Sequence, residues 1–179
     1  MLRDGARKPA VMKLEFAGYR VVAFATHGLV AGDINGLAEP ALVLTPPPLQ
    51  AGPDDDGLLK ASDVSQLVFN ADWVVLSACN TAAGDGSPAA EGLSGLAKAF
   101  FFAGSRALLV SHWPVFSDAT VKLTTRTFAE LVKTPTLPRA VALQRASAAL
   151  REDRSETYFA YPMLWAPFVV CLLYTSRCV

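Results

Sequence analysis

The sequence predicts an α/β domain with a largely parallel sheet, and two patterns carry that prediction. Apolar runs without polar alternation, clearest at 73–78 and 107–111, are typical of strands buried on both faces of a sheet. Segments with helical periodicity follow these runs. Strands that alternate with helices of about ten to fifteen residues indicate an α/β fold whose sheet is mostly parallel.

Length and composition narrow the class of protein. The chain has 179 residues, 52% of them hydrophobic, which suffices for one domain with a substantial core. Its formal net charge is zero and it has no run of Lys or Arg, so we expect neither nucleic acid nor a membrane as a partner. The start of the chain lacks the apolar segment of a signal peptide, and the apolar run 164–174 is shorter than the roughly 20 residues of a membrane span.

The cysteines indicate neither a disulfide framework nor a metal site. Cys79, Cys171 and Cys178 have no CxxC spacing and no accompanying pair of histidines. We therefore expect a cytoplasmic protein without a metal or another cofactor, in which Cys171 and Cys178 are structural. The acidic residues 54–56 are interpreted as a solvated turn.

The first half of the chain contains two predicted buried strands. The first spans 20–26 and ends at His27, and the second precedes Cys79. Between them, 37–59 is interpreted as an irregular excursion or a loose hairpin. A short helix that is capped by Ser62 or Asp63 and ends near Phe69 leads into the second strand.

The second half alternates helices and strands. A helix capped by Ser87 is predicted to end at Gly104, with the phenylalanines 100–102 in the core. A third strand, 107–111, leads to a helix from Ser117. Further elements are a helix over 139–153 and a last strand over 165–170. The inner face of the helix from Ser117 is predicted to hold Val121, Thr124, Thr125, Phe128, Leu131 and Val132.

A histidine and a cysteine follow the two buried strands of the first half. If these strands are parallel neighbours, about 4.8 Å apart, His27 and Cys79 emerge side by side at one sheet edge. Considered alone, each residue is more often structural, since free cysteine is among the most buried residue types. Their joint placement predicts a Cys/His dyad. The backbone N–H groups of Gly28 and Cys79 are candidate donors to the oxyanion.

Five segments together resemble the CHAT family of caspase-like domains. They are 24–28 (Phe-Ala-Thr-His-Gly), 56–62 (Asp-Gly-Leu-Leu-Lys-Ala-Ser), 76–81 (Leu-Ser-Ala-Cys-Asn-Thr), 91–97 (Glu-Gly-Leu-Ser-Gly-Leu-Ala) and 111–114 (Ser-His-Trp-Pro). Each motif is weak by itself, but the five occur in the order of the family.

The resemblance implies a caspase-like three-layer αβα sandwich and a cysteine endopeptidase in which His27 and Cys79 are catalytic. It implies a protein substrate and a tetratricopeptide-repeat or other sensor region as a regulatory partner. Because separase and gingipains cut after basic residues, it also implies an acidic pocket. Candidate pocket residues are Asp85, Glu91, Ser111, Trp113 and Asp118. Glu91 has an alternative role in the first turn of a helix.

Two departures from the family bear on these expectations. Only 26 residues precede His27, fewer than further caspase-like strands require, so we expect the domain to be truncated at its amino end. Where many members have an acidic pair after Trp-Pro, this chain has Phe116 and Ser117. The predicted domains are a partial segment at 1–18, a CHAT domain at 19–170 and an atypical, non-native tail at 171–179. The alternative function is a non-catalytic scaffold that keeps the caspase-like fold.

Overall fold

The computed structural model describes residues 3–52, 54–78 and 95–172 of the chain. The predictions for Cys79, Asp85, Glu91 and the Ser87 helix cap lie outside the described residues. The same holds for the segment 173–179, which includes Cys178.

Strands and helices alternate along the described part of the chain. The strands are Val21–Ala25 (β1), Gly28–Leu29 (β2), Ala41–Val43 (β3), Leu58–Lys60 (β4), Trp73–Ser77 (β5), Ala107–Ser111 (β6) and Phe168–Leu172 (β7). The α-helices are Lys8–Met12 (α1), Ala61–Val64 (α2), Gly95–Phe102 (α3), Ser117–Lys133 (α4), Arg139–Arg151 (α5) and Pro162–Trp165 (α6). Short 3₁₀ turns occupy Arg3–Ala6, Phe16–Gly18 and Thr157–Ala160.

The central sheet has the strand order β1-β5-β6-β7. The first three strands run parallel, and β7 is antiparallel to β6. Every residue of β6 is buried, as are the first four of β5. Burial on both faces explains why neither strand shows polar alternation. The predicted mostly parallel sheet is confirmed.

Helices cover both faces of β5 and β6. The prediction of a buried strand is wrong for β1, because Val21, Ala23 and Ala25 on one of its faces are exposed and the residues between them are only partly buried. Val74 and Leu76 of β5 join a core that includes α2, α3, Val11 and Phe16. Trp73 and Val75 point to the opposite face, where they join a core built with α4 and α5. Successive residues of a strand alternate between its faces, so β5 contributes to both cores. The three layers agree with the predicted αβα sandwich.

A small antiparallel sheet with the order β2-β3-β4 follows, and two residues separate β1 from its first strand. Leu42 of β3 lies opposite Leu59 of β4, and both side chains are fully buried. The β3–β4 pair matches the loose hairpin predicted for 37–59. The two-residue strand β2 was not predicted, because it is too short to show a periodic pattern. Since β2 starts at Gly28, the small sheet adjoins His27.

Gly104 ends α3 as predicted. Its φ is +103°, in the left-handed region that favours glycine. A Cβ at this position would lie 2.3 Å from the carbonyl oxygen of Phe69. The chain can therefore turn from α3 toward β6 here only with a residue that lacks a side chain.

Two element boundaries differ from the prediction. The short helix α2 begins after Lys60 and ends at Val64, earlier than expected. The Asp63 carboxylate caps it by accepting the backbone N–H of Lys60 at 2.9 Å, so Asp63 acts from inside the first turn. The last strand begins at Phe168 because Pro162 starts the short helix α6 over part of the predicted strand.

The predicted inner face of α4 is wrong in part. Val121 and Val132 are 62% and 81% exposed, whereas Thr127 is fully buried. The hydroxyl of Thr127 donates to the carbonyl oxygen of Leu123 at 2.7 Å. A threonine whose hydroxyl donates a hydrogen bond within its own helix can face a core. A prediction based on the spacing of apolar residues does not identify such a threonine as buried. The aromatic run in α3 is also split, since Phe102 is 82% exposed.

Candidate active site

The carboxyl ends of β1 and β5 lie side by side. In the parallel pair Ala25 is opposite Ser77, which confirms that these strands are neighbours. His27 follows Ala25 by two residues, and Cys79 follows Ser77 by the same number. The described residues that contain β5 end at Ala78. This alanine is buried and directly precedes Cys79 in the chain.

Two hydrogen bonds to Val43 of β3 hold the segment that carries His27. The Val43 N–H donates to the carbonyl oxygen of His27 at 2.8 Å. The hydroxyl of Thr26 donates to the carbonyl oxygen of the same valine. The His27 side chain itself is exposed. Thr26 was not predicted as a site residue, and only its position next to His27 marks it.

The geometry of Gly28 fits a role as a backbone donor. Gly28 lies opposite Leu42 in the antiparallel β2–β3 pair, next to the hydrogen-bonded His27–Val43 pair. Hydrogen-bonded and non-hydrogen-bonded pairs alternate along such a ladder. The Gly28 N–H therefore points away from β3.

Ser111 holds the end of β5. Its side chain is fully buried, and its hydroxyl donates to the carbonyl oxygen of Ala78. A buried hydroxyl in this contact is poorly placed to line a substrate pocket, the role that the sequence suggested. The signal for the observed role was a serine that ends an otherwise apolar strand.

The Asp118 carboxylate already accepts two hydrogen bonds. Tyr158 donates its hydroxyl to the Asp118 carboxylate at 2.7 Å, and the Ala119 N–H donates to the same carboxylate at 2.8 Å. The bond from Tyr158 lowers the pKa of Asp118. In return the bond to Asp118 raises the pKa of Tyr158 to about 12. Tyr158 was missed by the sequence reasoning, because 40 residues separate it from its partner.

Apolar side chains are exposed beside the carboxyl end of β6. The indole N–H of Trp113 donates to the carbonyl oxygen of Met163 at 3.2 Å, which joins this end of the sheet to α6. Nearby, Tyr161 and Met163 are 63% and 50% exposed. We call this region, Trp113, Phe116, Tyr158, Tyr161 and Met163, the Trp113 surface. The ring of the exposed His112 is tilted against that of Trp113, with ring centroids 6.4 Å apart.

A cavity of about 650 Å³ runs along β1. Its walls come from β1, from the amino-terminal segment and from the residues after β3, and His27 is among them. In the described part of the chain β1 pairs only with β5, so its other edge faces this cavity. The lining residues are Ala6, Val11, Leu14, Phe16, Tyr19, Val21, Val22, Ala23, Phe24, Ala25, Thr26, His27, Val43, Leu44, Thr45 and Pro46.

Ion pairs tie the amino-terminal segment to the acidic turn. Arg7 pairs with Asp55, whose side chain is only 5% exposed. Lys8 contacts Asp63 at 2.7 Å and Asp56 at 3.3 Å. The prediction of a solvated turn is therefore wrong for Asp55. An arginine 48 residues away makes its burial possible.

Cys171 does not have the environment of a nucleophile. It lies in β7 opposite Leu108, and burial raises the pKa of its thiol. A raised pKa lowers the fraction of reactive thiolate at neutral pH. This environment agrees with the structural role predicted for Cys171.

Neither a cluster of metal ligands nor a membrane-spanning helix occurs in the described part of the chain. Across 3–52, 54–78 and 95–172, no group of three or more His, Cys, Asp or Glu side chains is arranged to hold a metal ion. Among the helices in these ranges, none combines the length and apolar character that crossing a membrane requires.

Comparison with protein-family models matches residues 1–172 to the family described as CHAT domain. The match covers the segments that carried the resemblance in the sequence. None of the curated proteins compared with the chain matches it.

Proposed function

The chain belongs to the CHAT domain family, which is related to caspase-like peptidases, and from this premise we propose that it is a cysteine endopeptidase. In this proposal Cys79 is the nucleophile and His27 is the acid and base. One observation carries it: Ala25 and Ser77 are opposite each other in adjacent parallel strands. Because His27 and Cys79 each lie two positions beyond this pair in the sequence, we expect both to leave the sheet at the same edge.

The chemistry requires only these two side chains and water. His27 takes the proton of the Cys79 thiol, and the thiolate attacks the carbonyl carbon of the scissile peptide bond. His27 then gives this proton to the leaving amine as the C–N bond breaks. The result is a thioester with Cys79. His27 then takes a proton from water, the hydroxide attacks the thioester, and the thiolate leaves as the carboxylic acid product forms.

The oxyanion of each tetrahedral intermediate needs hydrogen-bond donors. We assign the backbone N–H groups of Gly28 and Cys79 to this role. The direction of the Gly28 N–H, away from β3, supports the assignment. Glycine also allows a substrate to approach the main chain closely. Losing one such donor typically costs about 10²–10³ in rate.

The proposed substrate is a protein that is cut after a basic residue. Asp118 is less suited to bind that residue than the sequence suggested, because Tyr158 and the start of α4 already use its carboxylate. Asp85 and Glu91 remain the candidate acids. The Trp113 surface, at the carboxyl end of β6, supplies exposed apolar area for neighbouring substrate residues.

CHAT domains are often associated with repeat regions. We therefore propose that a tetratricopeptide-repeat or other sensor region regulates the peptidase in the cytoplasm. A reducing compartment would keep both Cys79 and Cys171 as thiols.

Cleavage of a peptide library by the purified chain tests the proposal, with Cys79→Ala as the inactive variant. The matched control is Cys171→Ala, which removes a thiol from β7. Cleavage should be lost in the first variant and unchanged in the second. Equal cleavage by wild type and Cys79→Ala would rule out Cys79 as the nucleophile, and no cleavage by the wild-type chain would favour the non-catalytic scaffold.

A further inference from the structure

Thr26 and His27 are bound to the same residue of the small sheet. The Thr26 hydroxyl donates to the carbonyl oxygen of Val43, and the Val43 N–H donates to the carbonyl oxygen of His27 at 2.8 Å. Both contacts reach from the end of β1 to β3. The segment that carries the proposed base out of the central sheet is therefore fixed by two bonds to one residue.

Val43 is a firm anchor for these bonds. It lies opposite Leu58 in the β3–β4 pair, and the next residue, Leu44, donates its N–H to the carbonyl oxygen of Gly57 at 2.7 Å. Leu42 and Leu44, on either side of Val43, are both buried. A displacement of Val43 would disturb this core, so the anchor has little freedom to move.

The ring of His27 depends on its backbone for position. The side chain is exposed, and no hydrogen bond to its ring nitrogens comes from residues 3–52, 54–78 or 95–172. A catalytic group must be held within about 0.5 Å of its productive position. Among the described residues, the hydrogen bonds of Val43 with the Thr26 hydroxyl and with the His27 carbonyl oxygen therefore fix the His27 backbone, from which the ring extends.

We propose that Thr26 is a positioning residue, whose hydroxyl fixes the His27 backbone through the carbonyl of Val43 so that the imidazole meets the Cys79 thiol. This inference rests on the proposed function and assigns a role to a residue that the chemistry alone does not require. Threonine suits the role because its branched Cβ restricts χ1, which keeps the hydroxyl directed at its acceptor.

Isosteric substitution separates the hydroxyl from the shape of the side chain. Thr26→Val removes the hydrogen bond and keeps the volume, whereas Thr26→Ser keeps the hydroxyl. The control, Thr127→Val, also removes a hydrogen bond from a threonine hydroxyl to a backbone carbonyl, here within α4 and far from the proposed site in the sequence. Peptide cleavage and the alkylation of Cys79 by an electrophilic peptide are measured for each, together with the melting temperature.

Thr26→Val should lower kcat by about 10²-fold, the size of effect that a misplacement of about 1 Å produces. KM should stay near that of wild type, because Thr26 does not contact substrate in this account. Thr26→Ser and Thr127→Val should both keep wild-type kcat. Wild-type kcat in a folded Thr26→Val, or equal losses in the valine and serine variants, would overturn the proposal and leave the dyad standing.

A second readout does not need catalysis. The chain has two histidines, His27 and His112, so their ring signals in an NMR spectrum can be assigned with His112→Gln. Thr26→Val should change the ring signals of His27 and leave those of His112 unchanged. If wild type shows no activated thiol, the peptidase proposal fails, and a changed His27 signal still supports positioning by Thr26. An unchanged His27 signal in Thr26→Val would overturn the inference in either case.

Discussion

The hydroxyl of Ser111 donates a hydrogen bond to the carbonyl oxygen of Ala78, the residue before Cys79. This bond joins the last residue of β6 to the segment that leaves β5. Because Ser111 is fully buried, water cannot replace it as a donor to that carbonyl.

Ser111→Ala should therefore lower both stability and the reactivity of Cys79. Leaving a buried carbonyl without its donor costs about 1–3 kcal/mol. Urea unfolding measures the stability, and alkylation by an electrophilic peptide measures the reactivity. The control is Ser105→Ala, since the buried Ser105 hydroxyl has no hydrogen-bond partner among the described residues. Equal effects of the two substitutions would show that the bond to Ala78 has no special role.

The Tyr158–Asp118 bond should be visible in a titration of the tyrosines. Asp118→Asn removes the charged acceptor, so the pKa of Tyr158 should fall from about 12 toward the ordinary value of about 10. Absorbance of the phenolate follows this change. Tyr158→Phe should abolish the step at highest pH, and Tyr161→Phe, which removes an exposed phenol, should keep it. A wild-type titration in Asp118→Asn would contradict the assignment.

The same bond predicts how stability varies with pH. The pKa of Tyr158 is raised on folding, so the bond stabilises the folded state below about pH 10, and this contribution is lost as the pH rises through about 12. The pKa of Asp118 is lowered, so at the acid end the contribution is present above its ordinary pKa and is lost as the pH falls through the lowered value.

The Arg7–Asp55 pair should matter more for stability than pairs at the surface. Arg7→Met leaves the Asp55 carboxylate, 5% exposed, without its partner, and should cost about 3 kcal/mol in urea unfolding. Glu152→Gln breaks an exposed pair with Arg151 and should cost at most about 0.5 kcal/mol. Equal costs in the two variants would show that Asp55 is solvated in the folded protein.

Substrate selection should not depend on Asp118. A peptide library should show Arg or Lys preferred before the cleaved bond, and Asp118→Asn should keep that preference because Tyr158 and Ala119 already bind the carboxylate. Glu91→Gln or Asp85→Asn should weaken it. A preference for Asp, or loss of the basic preference in Asp118→Asn alone, would refute this part of the proposal.

The sequence predicted what depends on local pattern. β5 and β6 are apolar throughout because both their faces are buried. The strand before His27 was expected to be a parallel neighbour of β5, and the β1–β5 pairing confirms this. Gly104 was recognised as the end of α3 because glycine commonly follows the last turn of a helix. Its left-handed backbone conformation shows why glycine is needed there. The family motifs added the three-layer arrangement.

The sequence could not predict contacts whose partners are far apart in the chain. The hydroxyls of Thr26 and Ser111 bind carbonyl oxygens 17 and 33 residues away, and a backbone carbonyl carries no signal of its partner in the sequence. The inner face of α4 was misassigned because Thr127 satisfies its hydroxyl within the helix and so can be buried. Asp55 appeared solvated because its partner, Arg7, precedes it by 48 residues.

The rate at which an electrophilic peptide alkylates Cys79 at neutral pH tests the His27–Cys79 dyad most directly. The measurement compares wild type with His27→Ala, and His112→Ala serves as the control because it removes the other histidine. An ordinary cysteine is only a few per cent ionised at pH 7, so a histidine that activates it should raise the rate by at least about tenfold. The account predicts fast labelling of Cys79 in wild type and His112→Ala, and labelling at the rate of a free thiol in His27→Ala. Equal rates in wild type and His27→Ala would contradict it.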